Sequence, residues 1–334
     1  MATLKDVART AGVSLGTASR VVNGATDVRE GNRSAVLCAV DALGYRPNAI
    51  ARSLKVNRSQ SVGMLIPDIS SPYYPEIVRG AQDVASNHGL GLLLINTDRL
   101  IEKEIAAVNL FVEKQVDGIL YVSNTISEPL HGCLRAALCP VELVSTHDYA
   151  YGVLHGVSID NRAAARDGVR TLVALGHRRV ALLAGPDDDP NAGLPRTTGY
   201  LDALAEAGIA PESELIFKGN YTVESGYEAA RAALTLEPPP TAIFAAADLM
   251  ALGAMGAARQ KGLDVPRDVA IMGFDGLDIA EYILHSLSTV SVPRRAMGMR
   301  GMENLIRAMQ GEPPTGDVVL AHEVILREST GTIA

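Results

Sequence analysis

Two groups of residues in this 334-residue chain have the types and spacing to do chemistry. The first is compact: Thr17, Ser19, Arg20 and Asn23 fall within seven residues, with Arg52 and Lys55 further on. Hydroxyl, amide and guanidinium groups in such a run suit phosphate oxygens and the edges of nucleic-acid bases. The second is dispersed: Asp68, Ser70, Tyr73, Tyr74, Asp160, Asn161, Arg196, Tyr221, Asp248 and Asp275 each follow an apolar run. Carboxylates accept from hydroxyl groups, an arginine holds an acceptor or an anion, and tyrosine rings cover an apolar face. Together they suit a sugar-like or nucleoside-like ligand.

The elements that must position the first group are short helices. Thr3 and Asp6 have capping-box spacing, and Leu4, Val7, Ala8 and Ala11 then form one apolar stripe that Gly12 ends. Ser14 is a good N-cap for a second helix, with Ala18, Val21 and Val22 inward and Leu15, Gly16, Thr17, Ser19 and Arg20 on the leading or outer edge. A third helix is predicted over about Gly31 to Leu43, with Val36, Val40 and Leu43 inward. Two short helices joined at a glycine turn describe a helix-turn-helix, whose second helix enters the DNA major groove. Pro47 to Lys55 reads as one more helix, too short to persist alone in water, and Asn57 to Ser61 as a boundary.

Charge divides the chain in the same place. The formal net charge is −8, yet residues 1–60 hold nine Lys and Arg against four acids, a surplus of five that leaves −13 for the rest. A basic end on an acidic chain points to nucleic acid. No run of about 18 apolar residues occurs and the opening residues lack a signal-peptide core, so a cytoplasmic protein without membrane contact is expected. Cys38, Cys133 and Cys139 have no metal-site or disulfide-framework spacing and are expected to be buried or inert thiols. The run Asp187-Asp188-Asp189 reads as a solvated loop, because consecutive acids diverge and no further metal ligand accompanies them. No metal or cofactor is expected. The chain carries neither an H-E-x-x-H pattern nor a Gly-rich phosphate fingerprint after a strand, and no enzyme is expected.

The second group needs a sheet. Apolar runs at 62–67, 91–96, 118–122, 180–184, 242–246 and 270–274 alternate with helical stretches at 74–87, 101–113, 195–207, 223–234 and 248–261. That alternation predicts parallel βαβ units in two tandem halves, with ligand residues just beyond the carboxyl ends of the strands.

Several stretches together resemble the LacI/GalR (lactose-repressor) family of transcription regulators: 4–8, 11–14, Thr17-Ala18-Ser19-Arg20-Val21-Val22-Asn23-Gly24 and Leu43-Gly44-Tyr45-Arg46-Pro47-Asn48-Ala49. The resemblance runs over essentially the whole chain. It implies a small all-α helix-turn-helix headpiece over 1–46 and a hinge helix and linker over 47–60. It further implies an α/β periplasmic-binding-protein-like domain of two Rossmann-like halves, 61–160 plus 293–318 and 161–292 plus 319–334. By position, Leu15, Gly16 and Arg20 would read bases, Thr17, Ser19 and Asn23 would hold phosphates, and Leu54, flanked by Arg52 and Lys55, would wedge into the minor groove at the centre of a palindromic site bound by a homodimer. Gly16 departs from the polar residue usual there. The resemblance supports Arg196, Asp248 and Asp275 as effector contacts. Ser145, Ala247 and Val292 stand where sugar-responsive members carry Asp, Asn and Gln, and Pro190 and Ala192 replace the Arg and Thr of a purine repressor. The implied function is a repressor of a catabolic or transport operon released by a sugar-like effector. A nucleoside-like corepressor, or a binding protein without a DNA role, is the alternative.

Overall fold

The computed structural model describes residues 2–45, 59–123, 125–148 and 150–331, so the hinge stretch with Arg52, Leu54 and Lys55 lies outside the described residues. Residues 1–60 and 61–334 form two compact units.

The first unit holds α1 (Leu4–Thr10), α2 (Leu15–Val22) and α3 (Glu30–Leu43). Both initiation signals act locally. Thr3 and Asp6 form a reciprocal capping box on α1, and the Ser14 hydroxyl accepts from the Thr17 N–H at 3.1 Å. Val7, Ala8, Ala18, Val21, Val36 and Ala39 make the core, with Val40 and Tyr45 against it. Leu43, expected inward, is exposed instead, because it is the last residue of α3 before the left-handed Gly44 cap turns the chain away.

The second unit is built on two six-stranded sheets. The first has the order β11-β5-β4-β3-β1-β2, from β1 (Ser61–Ile66), β2 (Gly91–Asn96), β3 (Gly118–Tyr121), β4 (Val141–Val144), β5 (Gly156–Ile159) and β11 (Val318–Leu320), all parallel. The second has the order β12-β10-β9-β8-β6-β7, from β6 (Val180–Ala184), β7 (Ile216–Lys218), β8 (Ala242–Ala245), β9 (Ala270–Asp275), β10 (Ser288–Ser291) and β12 (Glu323–Ile325), parallel except for β12 on β10. Buried runs such as Val62–Ile66 and Val180–Ala184 are the mark of strands covered on both faces. The covering helices are α4 (Tyr74–Asn87), α5 (Ile101–Glu113), α6 (Glu128–Ala136), α7 (Asn161–Ala174), α8 (Gly193–Glu206), α9 (Val223–Ala233), α10 (Asp248–Gln260), the short α11 (Ile279–Tyr282) and α12 (Arg294–Met309). The chain returns late: α12 packs on α4 and on β3 and β4, and β11 then joins β5 of the first sheet before β12 joins the second.

Glycines set how closely the helices pair. A Cβ on Gly80 would stand 2.1 Å from the Arg295 carbonyl oxygen and one on Gly298 1.9 Å from that of Ile77, so α4 and α12 meet backbone to backbone. Gly226 and Gly253 do the same for α9 and α10. The strands β4, β5, β7, β10, β11 and β12 and the helices α6, α7, α11 and α12 have no counterpart among the elements read from the periodicity, and most of them are short. Three or four apolar residues, or a nine-residue helix opened by Pro129, carry too little pattern to separate from loop.

Candidate functional site

On the headpiece, Leu15 and Gly16 at the start of α2 are exposed, and Arg20 and Asn23 are exposed further along the same helix. Their polar groups are engaged within the headpiece. The Thr17 hydroxyl lies 2.9 Å from that of Ser14, the Asn23 amide donates to Ser19 at 3.3 Å, and Arg20 pairs with Asp27. That guanidinium, by hydrogen bond and charge, holds the Asp27 carboxyl below its ordinary range. A Cβ on Gly16 would meet only the Ser14 hydroxyl, at 3.8 Å, so steric crowding does not require glycine there. Residues 12–16 also spell the G-x-S-x-G pattern of hydrolases. Here it joins two helices rather than a strand and a helix, and its serine is occupied in capping α2.

In the second unit, loops beyond the carboxyl ends of strands from both sheets enclose one polar, aromatic-lined cavity. Seven of the expected residues line it: Tyr73, Tyr74, Ser145, Asn161, Arg196, Tyr221 and Asp275. Tyr73 and Tyr74 meet edge to face with centroids 5.2 Å apart, and the Tyr73 hydroxyl lies 2.8 Å from that of Ser145. Burial pushes both phenols well above their usual range. Arg196 is the organising group. Its Nε donates to Asn161 Oδ1 at 2.9 Å and its Nη1 to the Ala246 carbonyl at 2.6 Å, with Asp275 Oδ1 at 3.5 Å and the Phe274 ring centroid 3.7 Å below the guanidinium. Burial raises the Asp275 carboxyl, and the charges of Arg196 and Arg294 oppose that rise.

The backbone is strained at the same place. Arg99 (φ 60°), Ser145 (φ 60°), Tyr221 (φ 66°) and Asp275 (φ 118°) all line the cavity in the left-handed region that disfavours side chains. Such conformations cost on the order of 1–3 kcal/mol each and gather at binding sites, where surrounding contacts impose them. Two contacts tie the loops of one sheet to those of the other. The His147 N–H donates to Asn191 Oδ1 at 2.8 Å, and Arg294 donates to Pro72 O at 3.1 Å and to Gly276 O at 2.7 Å.

Four expected contacts, Asp68, Ser70, Asp160 and Asp248, stand outside the cavity lining. Asp160 is exposed and caps α7, accepting from the Ala163 N–H at 2.9 Å. Ser70 donates its hydroxyl to Asp68 at 2.6 Å within a tight turn. Asp248 is wholly buried beneath the site, accepting from the Leu277 N–H at 2.7 Å and the Thr289 hydroxyl at 2.6 Å. Burial, then the charge of Asp275, raises its carboxyl, and its hydrogen bond supports the loop that carries Leu277, below the cavity lining. Other lining residues gave no signal in the sequence: Arg99, Ser123, Asn191 and Leu249. The acidic run is also corrected. Asp187 is exposed and pairs with Lys218, but Asp189 is buried, accepts the Tyr221 hydroxyl at 2.7 Å, and takes the N–H groups of Asn191 and Ala192 at 3.0 and 2.9 Å. It shapes the cavity wall. Its signal was the Asp-x-Asn spacing of a side-chain turn. Cys38, expected buried or inert, is an exposed free thiol on α3.

A helix-turn-helix unit ahead of a two-sheet domain with a cavity at the carboxyl ends of its strands defines the class: a regulator with a periplasmic-binding-protein-like sensor. The chain belongs to the lacI family of bacterial regulatory proteins. Residues 3–48 match the family model "Bacterial regulatory proteins, lacI family" and residues 169–330 match the periplasmic binding protein-like domain. The HTH-type transcriptional regulator RegA of Clostridium saccharobutylicum is 40% identical over 98% of this chain and 98% of its own. The lac repressor dimer bound to operator and the anti-inducer ONPF superposes with a TM-score of 0.91 at 28% identity, covering 99% of each chain. The regulator CelR in complex with cellobiose gives 0.76 at 32% identity, covering 98% of this chain and all of that one. These relatives are transcription regulators. Among the described residues no helix is long and apolar enough to cross a membrane.

Proposed function

We propose that this chain is a cytoplasmic repressor that binds a roughly palindromic DNA site as a homodimer and is released from it by a small sugar-like effector held in the cavity. The observation that carries the effector reading is the gathering of four left-handed, side-chain-bearing residues around one cavity, two of them polar residues in direct hydrogen-bond or ion-pair contact with its aromatic and cationic lining. Tyrosine rings, hydroxyls, an amide and a carboxylate match the alternating polar edges and apolar faces of a polyol ring. A binding role, not a catalytic one, is assigned to them. The cellobiose complex of CelR and the operator complex of the lac repressor support a sugar and a DNA site for this chain.

In this reading Leu15 and Arg20 meet base edges and Thr17, Ser19 and Asn23 meet phosphates, while Arg52, Leu54 and Lys55 act in the minor groove. Ligand draws the two sets of loops together through Asn191 and Arg294, and the change is passed to the hinge. Coupling between two sites is reciprocal, so DNA must weaken effector binding by the factor with which effector weakens DNA binding. The test selects a duplex from random sequence with the full chain, finds a stabilising sugar by thermal shift, and titrates each ligand with and without the other. Equal effector affinity in both arms would sink the switch; tighter binding with DNA would make the effector a corepressor.

The base-reading role has its own test. Arg20→Ala is expected to cost about 1–3 kcal/mol of affinity for the selected duplex and to relax preference at one base pair in each half-site. Fluorescence anisotropy at fixed salt across single-base variants reads both. A uniform loss at every position would make Arg20 a phosphate contact instead.

A further inference from the structure

Around the cavity, the polar groups already traced have partners in the protein. Arg196 bonds Asn161 and the Ala246 carbonyl and faces Asp275, Tyr73 is bonded to Ser145, and Tyr221 to Asp189. Arg99 differs. It lines the cavity with a left-handed backbone, is exposed, and has no hydrogen bond or ion pair to any described residue.

Arg99 also lines a second pocket that adjoins the first and shares Ser123 and Tyr221 with it. Ser127 also lines this outer pocket, though its Oγ is closed off from solvent. The acids nearby are largely committed. Glu104 accepts the Ser123 hydroxyl at 2.9 Å, and Asp189 is filled by Tyr221 and two backbone N–H groups. Asp188 is exposed and makes no ion pair with Arg99. A ligand spanning the two pockets would cover this cation.

We infer that the effector is a polyhydroxylated compound bearing an anionic group, carboxylate or phosphoryl, and that Arg99 holds this group where the two pockets meet. A neutral ligand would strip water from Arg99 and offer no countercharge. A carboxylate or phosphoryl oxygen pair takes the guanidinium fork in two parallel hydrogen bonds. This assignment rests on the reading of the cavity as the effector site.

The experiment uses the full chain and matched triples: D-glucose, D-glucuronate and D-glucose 6-phosphate, and the corresponding sets for galactose and ribose. Thermal shift followed by calorimetry ranks each triple. The expected result is that within at least one triple an acid or phosphate member binds at least about tenfold tighter than its neutral partner, as a charge-assisted bond requires. Which charged member binds separates carboxylate from phosphoryl. Arg99→Gln should then weaken that ligand by about ten- to hundredfold and Arg99→Lys by less, with the unliganded melting temperature unchanged because Arg99 is exposed. Binding of neutral sugars alone, or of a charged one undiminished in Arg99→Gln, overturns the inference and leaves the effector reading standing. Binding of no member overturns the sugar-effector reading with it.

Discussion

Arg196→Met is expected to destabilise the 61–334 unit by about 3–5 kcal/mol, because it leaves a buried carboxylate without its nearest cation. The guanidinium is 6% exposed and faces Asp275, itself 9% exposed. Removing it also strips a donor from Asn161 Oδ1 and another from the Ala246 carbonyl. Methionine fills the space over Phe274 while losing every hydrogen bond, so the loss reports on charge and hydrogen bonding and not on a hole. The deficit should depend on pH. Burial already raises Asp275, and Arg196 is the first charge that opposes the rise. Without it the folded carboxyl holds its proton to higher pH than the unfolded one, so stability is lost as pH rises from the ordinary carboxylate range through the folded value. Urea denaturation of both proteins from pH 5 to 8 checks this. A deficit that stays constant with pH would mean that Asp275 does not depend on Arg196.

Glu142→Gln is expected to act in the opposite direction. Glu142 lies on β4 beneath α12, is 8% exposed, and accepts a hydrogen bond from Asn304 Nδ2 at 2.8 Å. Burial pushes its carboxyl up to about 7, and the Asn304 donor only partly offsets this. The folded state therefore binds a proton that the unfolded state has released between about pH 4.5 and 7, and stability falls across that window. Above pH 7 the penalty is on the order of 3 kcal/mol, at 1.36 kcal/mol for each tenfold change in proton affinity. Glutamine keeps the acceptor for Asn304 and carries no charge. The variant should equal the native chain near pH 4.5 and melt higher above pH 7. A gain of the same size at both ends would assign it to packing instead.

Local chemistry was the legible part. The Thr3–Asp6 box, the Ser14 cap and the Gly44 end of α3 act within a few residues, and the chain places helix boundaries there because each satisfies orphan backbone groups on the spot. Much of the strand–helix alternation was legible for the same reason, but the short strands β4, β5, β7 and β10 to β12 and the helices α6, α7, α11 and α12 were not. The site was only half legible. Proximity to a strand end selected Tyr73, Tyr74, Asn161, Arg196, Tyr221 and Asp275, and the family resemblance pointed to the position of Ser145, but strand-end proximity selected Asp68, Asp160, Ser70 and Asp248 equally. A carboxylate after a strand can cap the next helix, turn under the site or enter it, and the sequence signal is the same in all three.

By itself, then, the sequence determined a helix-turn-helix, two tandem α/β halves and the loops from which a ligand site is drawn, since each depends on periodicity or on contacts a few residues apart. The tertiary structure decided which side chains meet. Arg99, Ser145, Arg196 and Asp275 share one cavity because two sheets face their carboxyl ends toward it. Those residues are separated along the chain by up to 176 positions, from Arg99 to Asp275. Over such distances no local preference can choose between ligand contact, helix cap and buried support; only the packing of both sheets does.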